Sequence, residues 1–394
     1  MQITDVIYRE DLYPRFNFDE ETINLYRLNL DLLPPITVSA NNILIDGYHR
    51  LIAHKIEQRN EINVEILPIT EDKDILKEAI KRNANHGRQL TMAEKKKWAR
   101  YFFDQLTIQE IHDLLQVSTG KISEWTTDLK QAQSEAEKQK VIDLWLACKQ
   151  QNEIAKETRL TEGRISQILN NFRNEKIKDF ENNPPESLKL FNLWQFPKSS
   201  DELDFKGAPA QVVEHLLWHY TKPFDVVYDP MAGGGSTIRV CQQMRRRWQA
   251  SDISPVINEI RPHDITTGFP DWLTKPDFVY LDPPYWKQAD YSEHSSNLAN
   301  MNLENYYDTI EFIAKEAKKI LRDGGHIVWI VSATQEPDRY IDHAIKFFTI
   351  FEKYFTPIIR CDVPFTTQQG GNLVNAAKEK KLILKQTRDL GVFR

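Results

Sequence analysis

Beyond residue 220, short runs of aliphatic and aromatic residues alternate with helix-like stretches. Several of the runs end on an acid: "DVVYDP" (225–230), "RWQASD" (247–252) and "DFVYLDP" (277–283). Runs without polar alternation read as strands buried on both faces, as in a parallel sheet covered by helices. "GGHIVWIV" (324–331) and "KKLILKQT" (380–387) continue the series as further strand-like runs. Parallel strands need crossover connections, so the alternation predicts an open, mostly parallel α/β sheet. Ligands of such sheets bind off the carboxyl ends of the strands, where these acids fall.

A glycine-rich turn follows the first run. In "DVVYDPMAGGGSTIRV" (225–240), three of the chain's 14 glycines stand together at 233–235. Glycine accepts positive φ and carries no side chain, so a strand–turn–helix of this kind can approach a nucleotide-like ligand closely. Asp229, Pro230, Ala232, Gly233 and Gly235 are therefore candidate ligand contacts. Asp252, followed by Ile253, ends the next run, where an acid can accept hydrogen bonds from ribose hydroxyls. Asp264 in "RPHDITTG" marks the strand end after that. The loop is not G-x-G-x-x-G, and no Lys-Ser/Thr closes it as in a P-loop, which counts against dinucleotides and ATP.

"PDFVYLDPPYW" (276–286) sets Asp282, Pro283, Pro284 and Tyr285 directly after a strand. Proline lacks an N–H, so it stops the strand and leaves a stiff carbonyl with no competing donor beside it. The exocyclic amine of a nucleobase is a poor nucleophile while its lone pair is delocalised into the ring. The Asp282 carboxylate and the Pro283 carbonyl can accept its hydrogens and free that pair. Tyr285 can stack on a base flipped out of the duplex. Trp286 suits the same pocket or the core. This chemistry needs no metal, and Cys148, Cys241 and Cys361 are too far apart in sequence for a zinc site or a disulfide framework.

On these motifs, residues 190–394 resemble the S-adenosylmethionine-dependent amino-methyltransferases of DNA, the N-4/N-6 family. The resemblance implies a Rossmann-like methyltransferase sheet, with Asp282–Tyr285 as the catalytic motif and S-adenosylmethionine on "DPMAGGGS". It implies adenine as the target base, with cytosine amino-methylation by the same site as the alternative. In this family an upstream segment touches the methionine end of the cofactor. "FKGAPAQVVEHLL" (205–217) stands in that place and offers Pro209 and Gln211. Only about thirty residues separate Asp252 from Asp282, which leaves no room there for the target-recognition insertion usual in the family. Reading of the DNA sequence is expected from elsewhere in the chain.

Residues 76–180 are the expected source. They hold 19 Lys/Arg against 15 Asp/Glu, whereas 1–75 hold 7 against 14 and 181–394 hold 25 against 28. A basic middle between acidic flanks is where a polyanion can dock. "QEIHDLLQVSTGKISEWTTDL" (109–129) and "NEIAKETRLTEGRISQILNNF" (152–172) superpose at a shift of 43 residues. Each copy reads as a helix, a tight turn and a second helix capped by Ser or Thr, which is the helix-turn-helix arrangement. Its second helix enters the major groove, which puts Thr119, Lys121, Ser123, Arg164, Ser166 and Gln167 against double-stranded DNA.

The N-terminal part resembles the ParB-like family through "LPPITVSANNILIDGYHRLIAHK" (33–55) and "RNANHGRQLTMAEKKKWA" (82–99). That resemblance implies Gly47, His49, Arg50, His86 and Arg88 around a nucleotide phosphate, and hence a second ligand. The proline-broken "ENNPPES" marks a linker. The expected organisation is an α+β ParB-like domain at 1–75, a helical DNA-binding segment at 76–180, a linker at 181–189 and the methyltransferase domain at 190–394. No apolar run reaches the length of a membrane span and the start is no signal peptide, so a cytoplasmic location is expected. A restriction endonuclease or a second copy of the chain are compatible partners. Two rival readings are a nucleotide-gated DNA clamp with an inactive methyltransferase scaffold, and methylation of RNA.

Overall fold

The computed structural model of the 394-residue chain describes all residues except 17, 86–88, 182–183, 186–187, 197–209, 288–295, 337–338, 366–374, 376 and 382. The chain divides into two compact units, residues 1–136 and 137–394.

The first unit begins with helix α1 (Glu20–Arg27), strands β1 (Ile36–Ser39) and β2 (Leu44–Asp46), helix α2 (Tyr48–Ile56) and strand β3 (Val64–Leu67). Helices α3 (Asp72–Asn85), α4 (Met92–Tyr101) and α5 (Ile108–Leu115) follow, and then the first part of α6 (Thr119–Leu146). The strands lie in the order β2-β1-β3, with β1 antiparallel to β2 and parallel to β3. Helices α4 and α5 both start at capping boxes, Thr91 with Glu94 and Thr107 with Glu110. Their inner faces bury Trp98, Phe102, Ile111 and Leu115 against Ile75 and Ile80 of α3.

The second unit continues from α6 through α7 (Gln151–Thr158), α8 (Glu162–Glu181) and α9 (Ala210–Tyr220). Then come β4 (Val226–Asp229), α10 (Ser236–Gln243), β5 (Arg247–Asp252), β6 (Arg261–Pro262), β7 (Phe278–Leu281), α11 (Leu303–Ile320) and β8 (His326–Val331). A small hairpin, β9 (Thr334–Glu336) with β10 (Arg339–Ile341), precedes α12 (His343–Phe351), β11 (Pro357–Pro364) and β12 (Thr387–Phe393). The large sheet has the order β11-β12-β8-β7-β4-β5-β6. Strand β12 runs antiparallel to both its neighbours, and every other pair is parallel. The chain therefore builds outward from β4 to β6, then returns to lay β7 on the other side of β4. Strand order reverses between β4 and β7, and that reversal opens a crevice at the carboxyl ends.

Alternate residues along β7 serve opposite faces, as pleating requires. Phe278 and Tyr280 join a core with Val227, Ile330, α9 and α10, while Val279 and Leu281 join Trp329, α11 and α12. The first of these cores also takes in the second helix hairpin, through Ile154, Ile165, Ile168, Leu169 and Phe172. Among the described residues, no helix is long and apolar enough to cross a membrane.

The sheet departs from the sequence reading at its end. The strand expected over 380–387 lies one step later, at Thr387–Phe393, and Ile383 of the apolar run is 92% exposed. Charged residues interrupt the real strand, which hid it. Asp389 is fully buried, but Arg360 and Lys385 pair with it there. Strand β11 was not foreseen at all, and it covers one side of β12.

Candidate active site

The turn after β4 is organised by two acids. Asp229 is only 3% exposed, and its carboxylate accepts the Met231 N–H at 3.0 Å and the Thr237 hydroxyl at 2.6 Å. It thereby braces both ends of the glycine loop. Asp252 accepts the Gly233 N–H and the Ser254 N–H, each at 2.9 Å, and so ties that loop to the end of β5. Gly233 (φ +49°) and Gly235 (φ +80°) occupy the left-handed region, and Gly235 caps α10. Asp264 caps a short 3-10 turn, accepting the Thr266 N–H at 2.9 Å and its hydroxyl at 2.7 Å.

These loops enclose a cavity of about 290 Å3. Its wall brings together Asp229, Pro230, Ala232, Gly233, Asp252, Ile253 and Asp264 with Asp282, Pro283, Pro284 and Tyr285. Two stretches far apart in sequence thus share one chamber. Gly235 lies behind the wall, where a Cβ would stand 2.7 Å from Ile257 Cδ1. Gln211, in the first turn of α9, is not in the wall, and its buried Oε1 has no partner among the described residues. Pro209 lies outside the described residues.

Asp282 directly follows the last residue of β7 and is half-buried, as is Tyr285, while Pro283 is buried. Burial raises the Asp229 carboxyl to about 7, with the Asp282 and Asp252 carboxylates adding repulsion. Trp286 belongs to the core, and its indole N–H donates to the Met301 carbonyl at 2.8 Å. Behind it runs a polar relay that the sequence did not disclose. The Thr334 hydroxyl donates to the Trp286 carbonyl at 2.9 Å and meets His343 Nε2 at 2.9 Å, while the Tyr307 hydroxyl meets His343 Nδ1 at 2.9 Å. Burial lowers the His343 pKa to about 4, so the ring is neutral at pH 7. With the Thr334 proton spent on Trp286, Nε2 carries the ring proton and Nδ1 accepts from Tyr307. This chain of donors fixes the turn immediately after Tyr285.

Three further residues of the wall carry no sequence signal. Tyr280 lies one turn of the pleat before Asp282, Asn297 caps the short turn at Leu298–Asn300, and Arg388 enters from β12. Arg388 is 9% exposed, and its guanidinium lies 4.2 Å from the centre of the Phe365 ring. It stands 106 residues beyond Asp282 and in no motif, so only the sheet brings the two together.

Of the residues expected to face phosphates, Arg50 and His49 make hydrogen bonds within the first unit. Arg50 donates to Asp46 at 2.6 Å and to the carbonyls of Pro34 (3.0 Å) and Pro35 (2.7 Å). His49 Nε2 accepts the Asp19 N–H at 3.0 Å. Gly47 starts α2 at φ +103°, where a Cβ would meet Ile36 Cγ2 at 2.6 Å. His86 and Arg88 lie outside the described residues.

The two helix hairpins repeat in detail. Gln116 and Arg159 end their first helices in the left-handed conformation, and Ser118 and Thr161 accept the N–H of Lys121 and Arg164. Thr119 and Ser123 are exposed, while Lys121 pairs with Glu124 at 2.9 Å. Arg164 donates to Gln167 at 2.9 Å and Ser166 to Gln151 at 3.2 Å.

A family model described as DNA methylase, of the N6/N4 type, matches residues 36–260, more than half of the chain. That span includes the glycine loop and Asp252 and ends before Asp282. No curated protein matches the chain. Among solved structures, TrmN from Thermus thermophilus is similar at 14% identity and a TM-score of 0.30, over 47% of each chain. The chain thus spans about half the length of that protein. ParB from Caulobacter crescentus, complexed to the centromeric parS site, is similar at 16% identity and a TM-score of 0.26, over 42% of this chain and 80% of that one. The N-methyltransferase NodS from Bradyrhizobium japonicum is similar at 13% identity and a TM-score of 0.29, over 47% of this chain and 93% of that one.

Proposed function

We propose, from the premise that this chain belongs to the DNA methylase family, that it transfers a methyl group from S-adenosylmethionine to the exocyclic amine of adenine in double-stranded DNA. The observation that carries the reading is the shared cavity, in which the glycine loop and Asp252 lie against Asp282–Tyr285.

The chamber fits such a donor by its chemistry. A positive-φ glycine loop admits the ligand closely, and Asp252 and Asp264 offer carboxylate acceptors to hydroxyls and ring amines. When bound, the donor supplies a methyl group activated by its sulfonium. Asp282 and the Pro283 carbonyl accept the two hydrogens of the target amine, which turns its lone pair toward the donor side. Tyr285 stacks on the extruded base. The relay from Tyr307 through His343 and Thr334 to the Trp286 carbonyl holds that turn rigid.

DNA is recognised in this reading by the paired helix hairpins, with Lys121 and Arg164 on phosphates and Thr119, Ser123, Ser166 and Gln167 available to base edges.

The test is methyl transfer from labelled S-adenosylmethionine to genomic DNA, followed by nucleoside analysis. N6-methyladenine is the expected product. Methylated cytosine amine would keep the mechanism and reverse the base assignment, while absence of label would favour a DNA-binding protein without turnover. Asp282→Ala is expected to bind S-adenosylhomocysteine within about twofold of the wild type, because the glycine loop is untouched. Retained transfer in this variant would remove Asp282 from the chemistry.

A further inference from the structure

The cavity wall is acidic, with Asp252, Asp264 and Asp282 contributing. Arg388 supplies the one guanidinium among the described residues of that wall. A ligand made only of cationic groups and hydroxyls would have no use for it. Resting on the methyl-donor reading above, we infer that Arg388 binds the α-carboxylate of the donor's amino-acid end.

Three observations carry the assignment. The first is the face on which Arg388 lies. It has the same strand parity as Leu390 and Val392, which pack into the core that contains Tyr280 and α9. Tyr285 packs against the opposite core, with Leu281 and Trp286. The arginine and the proposed base platform therefore stand on opposite faces of the sheet, which separates a donor-side contact from the base side.

The second is its place along the sheet. From β6 the wall runs through Asp264, Asp252 at the end of β5, the loop after β4 and Tyr280–Asp282 at β7. It reaches β12 and Arg388 last. A donor with its sugar at Asp252 and its sulfonium between β4 and β7 directs its amino-acid end to that far side. The third is rigidity. Arg388 sits on a strand paired on both sides, with its guanidinium against the Phe365 ring. A planar fork held in this way suits bidentate binding of a carboxylate.

The test compares two ligands that differ in the amino-acid end alone. S-adenosylhomocysteine carries the carboxylate, and 5′-methylthioadenosine has a methyl group in place of that whole arm. Binding of both is measured by calorimetry to the full-length wild type, Arg388→Gln and Arg388→Lys. The expected result is that Arg388→Gln weakens S-adenosylhomocysteine by roughly 10- to 100-fold, the value of a charge-assisted pair. Methylthioadenosine should be unaffected, and Arg388→Lys should recover part of the loss.

Equal weakening of both ligands would make Arg388 a structural support of the cavity and overturn the inference. Unchanged affinity for both, with a raised KM for DNA, would assign the guanidinium to a DNA phosphate and overturn it equally. If the wild type binds neither ligand, it is the methyl-donor reading that fails, and the inference falls with it.

Discussion

Asp229 is held in a state that costs stability at neutral pH, and the size of the effect can be worked from its surroundings. Its carboxyl is 3% exposed and has one backbone N–H and one hydroxyl as donors, with two further carboxylates nearby. Desolvation dominates and raises its pKa from 3.8 to about 7. Below pH 3.8 both the folded and the unfolded chain hold this proton. Between there and about 7 the folded chain keeps it while the unfolded chain releases it, so stability falls as pH rises. At about 1.4 kcal/mol per pH unit, the full loss has a ceiling of ~4 kcal/mol. Asp229→Asn removes the ionisation while keeping an oxygen for the Met231 N–H. From pH 5 to pH 8 the stability of the variant relative to wild type should therefore rise by about 3 kcal/mol. Urea unfolding followed by tryptophan fluorescence at both pH values measures this. The same stability difference at the two pH values would refute this, because it would show that the buried carboxyl does not hold its proton.

Three other experiments probe separate parts of the structure. Gly391→Ala drives a Cβ into the Trp329 indole in the middle of β12 and should cost about 3 kcal/mol, read as a lower melting temperature; an unchanged melt would mean that β12 does not lie against Trp329. Gly235→Ala meets both a φ of +80° and the Ile257 side chain. Adding Ile257→Ala should recover the contact part of the loss and leave the backbone part, about 1–2 kcal/mol, in unfolding titrations. Removing Lys121 and Arg164 together should lower the dependence of DNA affinity on salt by about two phosphate contacts, with a similar loss on every DNA sequence. An unchanged salt slope would take both hairpins off the phosphate backbone.

Features that depend on near neighbours were legible in the order of the residues. Unbroken apolar runs, a glycine turn and a Pro-Pro stop each act through the local backbone, so the strands ending at Asp229, Asp252 and Leu281 and the loops beyond them could be read directly. The hairpin echo was legible for the same reason, since each cap joins residues three apart. Strand neighbours are another matter, because they are chosen by packing among segments far apart in the chain. Packing sets β7 beside β4, as the glycine loop and the Asp-Pro-Pro-Tyr stretch require if they serve one ligand, and so joins them in one cavity. It also buried Asp389 between two cations, which made a strand of a segment whose charges argued against one. The role of a charged side chain depends on its partners in space. Arg50 donates to Asp46 and two proline carbonyls far from any strand-end cavity residue in sequence, while Arg388, which no motif announced, stands in the wall of the cavity.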